Sequence, residues 1–66
     1  MDRETELRAR LAALTTEHRA LDGRIAALAE APHLNQLEMR RLKKRKLQLR
    51  DEIFRVEDEL FPDIIA

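Results

Sequence analysis

Sixty-six residues with zero net charge, from thirteen Lys plus Arg against thirteen Asp plus Glu, make one small domain and remove any whole-chain electrostatic case for binding nucleic acid or a membrane. The chain has no Cys, which excludes disulfides, thiolate metal sites and thiol nucleophiles. A chain this short buries only about 60% of its unfolded surface, so it depends on well-packed helices or on association.

One Gly, two Pro, no Trp and no Tyr, set among abundant Ala, Leu, Glu, Arg and Lys, is the composition of long helices. The start, MDRETELRAR, lacks the apolar segment of a signal peptide. No run approaches the roughly 18 apolar residues of a membrane-spanning helix. The expectation is a soluble cytoplasmic protein without membrane insertion.

The spacing predicts a first helix over about residues 2–30. Leu7, Leu11, Leu14, His18, Leu21, Ile25 and Leu28 recur at intervals of four and three, an unbroken coiled-coil seam with one polar member. Asp2 is placed to cap the helix start, where a carboxylate accepts from free amides. Gly23 falls off the seam. It is either a tolerated surface position or a point of close approach by another helix. Pro32 cannot donate an amide and turns Ala31 away from helical angles, which puts a turn at about residues 31–35. Asn35 followed by Glu38 has the spacing of a capping box.

A second helix follows over about residues 35–61. Its seam is Met39, Leu42, Lys46, Leu49, Ile53, Val56 and Leu60. A linker this short folds the second arm back antiparallel on the first, with facing residue numbers summing to about 67. The fold class is therefore all-α, an antiparallel two-helix hairpin of coiled-coil character that assembles into a helical bundle. Two polar residues interrupt the seams, His18 and Lys46. Ionisable groups near a core demand partners. The expected polar layer has Asp22 approaching Lys46 or Arg45, and His18 approaching Glu52 or Asp51.

Leu47, Phe54 and Phe61 recur every seven residues on the second arm, well round from the seam. In a lone hairpin they form an exposed apolar patch. Either a wider hairpin core or the end of the chain from Pro62 to Ala66, with Ile64 and Ile65, covers them, or copies bury them against each other as dimers or tetramers. A third use is docking on a helix of an unknown protein partner.

Charge is also segregated. From Arg40 to Arg50, Arg40, Arg41, Lys43, Lys44, Arg45, Lys46 and Arg50 are cations with no acid among them. From Asp51 to Asp63 the acids are Asp51, Glu52, Glu57, Asp58, Glu59 and Asp63, against Arg55 alone. Base near the N-terminus and acid near the C-terminus oppose the helix dipole. Pairing between chains is one reason for such an order. Binding of phosphate groups, as in a nucleic-acid accessory protein or on a membrane surface, is another, and a solvated face with partners one turn away is the plainest. Against nucleic acid stand the zero net charge and the absence of Tyr and Trp.

No reaction is indicated. There is no Ser, no Cys and no Gly-rich phosphate loop. His18 and His33 lie too far apart for a metal site, and no cofactor is implied. The expectation is a structural or interaction protein, not an enzyme.

His18, Leu21, Asp22 and Ile25 form HxxLDxxI, and Leu42 to Ile53 reads LKKRKLQLRDEI. In this order and spacing they resemble the YdcH-like family of small bacterial proteins of unknown function. The resemblance covers roughly residues 14–57 and departs from the family's second motif only at Arg50, where Lys is usual. It implies a helical hairpin in a bacterial cytoplasm and no activity. His18, Asp22, Lys43, Lys44, Lys46, Asp51 and Glu52 carry over as signature positions, not catalytic ones.

Overall fold

The computed structural model describes residues 2–62. Two helices, α1 (Arg3–Leu28) and α2 (Gln36–Leu60), run antiparallel and are joined by residues 29–35. This is the all-α hairpin expected from the two matched seams.

The start of α1 is fixed by its own sequence. Asp2 is extended, and its carboxylate accepts from the Thr5 amide at 2.7 Å. That satisfies one of the amides that a helix start leaves without a partner. The bond holds the Asp2 carboxyl below the usual carboxylate range. Glu4 and Glu6 add negative charge to the first turn, where the dipole favours it.

The turn works differently from the capping box expected at Asn35 and Glu38. Asn35 occupies the cap position of α2, but its side chain gives α2 no capping bond. Its amide instead donates back to the Ala31 carbonyl at 3.1 Å and towards Leu28 at 3.5 Å. Both carbonyls also accept backbone amides of the turn, so the Asn35 side chain reinforces the turn and does not cap α2. Glu38 is drawn away to Arg24 at 2.5 Å.

Burial follows the seams. Leu7, Leu14, Leu49 and Val56 are buried, and Leu11, Leu21, Ile53 and Leu60 pack against them. Among the described residues Leu49 is the one fully enclosed side chain. The remaining seam members are half-buried, because two rods touch along only one stripe each. The core therefore lies in the half of the hairpin away from the turn.

One flank of the interface is laced with ion pairs. Arg3–Glu59 (2.6 Å), Arg10–Glu52 (3.8 Å), Arg45–Glu17 (3.1 Å) and Arg24–Glu38 each join the two arms. In all four the residue numbers sum to 62. On the other flank Lys46 meets Asp22, and that sum is 68. The two flanks bracket the sum of 67 expected from the seams, and four of the five pairs fall below it.

Gly23 is an open position. A Cβ added there would meet nothing within 4 Å, so in the hairpin it is a surface residue and not a point of close approach.

Candidate functional site

The polar layer is the first cluster that sequence spacing singled out. Lys46 Nζ reaches the Asp22 carboxylate, and His18 Nδ1 stands 3.7 Å from the same group. Asp22 is thus the hub. Its carboxyl lies below the usual range, chiefly because the Lys46 hydrogen bond outweighs the opposing effect of desolvation, with lesser help from the charges of Lys46 and His18. Glu52, expected in this layer, faces Arg10 on the opposite flank. Six residues beyond Lys46, at about 100° per residue, Glu52 is turned some 240° round the helix. Asp51 pairs with Arg55 on its own helix, and Arg45 with Glu17. The layer is no buried core. The Lys46 and Asp22 side chains are 36% and 50% exposed, so the pair is wet and fixes position more than it stabilises.

The second cluster lies on the outer side of α2. Its stripe stands about 100° round from the seam, since Leu47 follows Lys46. Leu47 and Phe54 are 63% and 56% exposed, and Phe61 is 37% exposed. The hairpin core does not reach them. Ile64 and Ile65, the residues expected to fold over them, lie outside the described residues. Arginines sit on the rings instead. The Arg50 guanidinium is 5.6 Å from the Phe54 ring centre, and that of Arg8, from the other arm, is 5.8 Å from the Phe61 ring. Between stripe and seam runs a shallow, mostly apolar groove lined by His18, Ile25, Lys43, Leu47, Arg50 and Ile53.

The basic block divides in two. Arg45 and Lys46 are spent on the other arm. Arg40, Arg41, Lys43, Lys44 and Arg50 make no ion pair among the described residues, nor do the acids Glu57 and Asp58 further along α2.

Sequence reasoning missed one feature. Leu34 and Leu37, at the turn end, are 77% and 62% exposed. The available signal was their position, since neither falls on a seam, yet both are large and apolar. Among the described residues no three His, Cys, Asp or Glu side chains converge as metal ligands. No helix among them is long and apolar enough to cross a membrane.

Comparison with known proteins gives one match. A family model described as a protein of unknown function, DUF465, covers residues 11–57, which includes both motifs and all of the two seams but Leu7 and Leu60. No curated protein and no solved structure matches the chain.

Proposed function

This chain belongs to the DUF465 family of proteins of unknown function, which includes the YdcH-like proteins that its motifs resemble, and from that premise we propose that it is a non-catalytic cytoplasmic hairpin that associates with copies of itself through Leu47, Phe54 and Phe61. The observation that carries this reading is the exposure of the stripe. Three large apolar side chains at heptad spacing stand in line outside the hairpin core.

Area supports it. The chain exposes 5353 Å², whereas a compact monomer of 7.8 kDa exposes about 4400 Å². The excess is of the size that each partner contributes to a standard interface, about 800 Å². Energy sets the strength. Burying the exposed half of one Leu and two Phe on each copy yields roughly 7 kcal/mol per dimer. The lost freedom of two bodies costs about 4–15 kcal/mol. Association through the stripe alone is therefore weak, and the charges beside it decide whether it holds.

Sedimentation or light scattering over a range of concentrations tests the reading. The chain is expected to gain mass with concentration, and Phe54→Glu to stay monomeric. A parent chain that is monomeric throughout rules the reading out.

The five unpaired cations favour a second reading, binding of a nucleic-acid backbone by Arg40, Arg41, Lys43, Lys44 and Arg50. Its test is a gel shift in which binding weakens steeply as salt rises. Absence of a shift at low salt removes it.

A further inference from the structure

The charge order along α2 determines how two copies meet, an inference that rests on the self-association read above. We propose that the copies pair two-fold and antiparallel, α2 against α2, with the axis at the Arg50–Asp51 junction and Leu47 of each copy against Phe54 of the other.

The stripe gives a small set of registers, because its members repeat every seven residues. The unpaired charges choose among them. Lys43 and Lys44 flank the stripe towards its N-terminal end, and Glu57 and Asp58 flank it towards its C-terminal end. None of the four has an ion-pair partner among the described residues. When Leu47 faces Phe54, facing residue numbers sum to 101. Lys43 and Lys44 of one copy then come opposite Asp58 and Glu57 of the other, twice over by symmetry. At the axis, Arg50 and Asp51 of the two copies form a balanced cluster, for which Arg50 must leave the Phe54 ring. Arg40 arrives beside Phe61 of the second copy, whose ring its own Arg8 already approaches from the other arm.

The competing arrangements are worse. In parallel pairing each cation lies beside its own counterpart, and so does each acid. An antiparallel register with Phe54 against Phe54 puts Asp51 opposite Glu57, leaves Arg50 opposite Asp58 as the one favourable contact of each half, and carries Lys43 and Lys44 past the acids. The chosen pairing also accounts for the charge order that opposes the dipole of α2. Between antiparallel helices the dipoles cancel, and each basic half lies against the acidic half of the other copy.

The chain has no Cys, so single cysteines report proximity directly. Asp51→Cys is expected to give a disulfide-linked dimer on mild oxidation. Asp58→Cys alone is expected to give little, and Asp58→Cys mixed with Lys43→Cys a mixed dimer. The double variants K43E/K44E and E57K/D58K are each expected to associate at least about tenfold more weakly than the parent, and their equimolar mixture to recover it. Asp58→Cys linking to itself more readily than Asp51→Cys overturns the antiparallel pairing and leaves self-association standing. Charge variants that associate as tightly as the parent do the same. A parent chain that is monomeric at every concentration overturns both.

Discussion

Asp22 gathers two polar partners, Lys46 from the other arm and His18 from its own. The spacing of the seams picked out all three, since each lies in or beside a seam that is otherwise apolar. It did not say which carboxylate would win, because that depends on which flank of the helix faces the other arm. Lys46→Met is expected to raise the Asp22 pKa towards the ordinary 3.8, as read by NMR titration of the side chain. The folded state holds the Asp22 proton less tightly than the unfolded chain does. The pair's contribution is therefore complete above the unfolded pKa and is lost as pH falls through the lower folded value. Acid unfolding of the parent should accordingly be steeper than that of Lys46→Met. Gly23 yields a prediction of the opposite sign. With open space around it in the middle of α1, Gly23→Ala should stabilise the hairpin by about 1 kcal/mol in chemical denaturation.

Each helix contributes one stripe, and the four buried residues are thinly spread along it. Leu49 alone has neighbours on every side. Leu49→Ala should cost about 2–5 kcal/mol, comparable to the whole stability of a chain this short, and leave it largely unfolded by circular dichroism. Leu42→Ala, at a half-buried seam position nearer the turn, should cost markedly less. The N-terminal cap was legible because Asp2 acts on an amide three residues away. The cap at Asn35 was not, because the same side chain can reach forward to α2 or back across the turn, and it bonds back to the Ala31 and Leu28 carbonyls. The flank of cross-arm ion pairs shows why the arms settle in this register. Sliding one arm by a heptad would set Glu17 against Glu52 and Arg24 against Arg45, two like-charge contacts where the hairpin has opposite ones.

As a whole, the molecule is two rods with more apolar surface than their contact can cover. Leu47, Phe54 and Phe61 form one uncovered patch, and Leu34 and Leu37 form another at the turn end. Phe54→Glu should abolish concentration-dependent mass gain while leaving helix content nearly unchanged, since Phe54 contributes little to the hairpin core. If the stripe instead belongs to the fold of a single copy, the same variant lowers the melting temperature and leaves the mass unaltered. Both are read from one pair of experiments, sedimentation and a thermal melt.

The sequence alone determined the two helices, their antiparallel return and the stripe that each buries, because these depend on heptad spacing, a proline and a short linker, all local in the chain. It also marked Leu47, Phe54 and Phe61 as surplus to the hairpin. Tertiary structure decided what local spacing leaves open: that Asp22 and not Glu52 partners Lys46, and that five cations of the basic block have no ion-pair partner among the described residues. Those outcomes are contests between groups far apart in the chain, settled by which faces meet and how far one rod slides along the other.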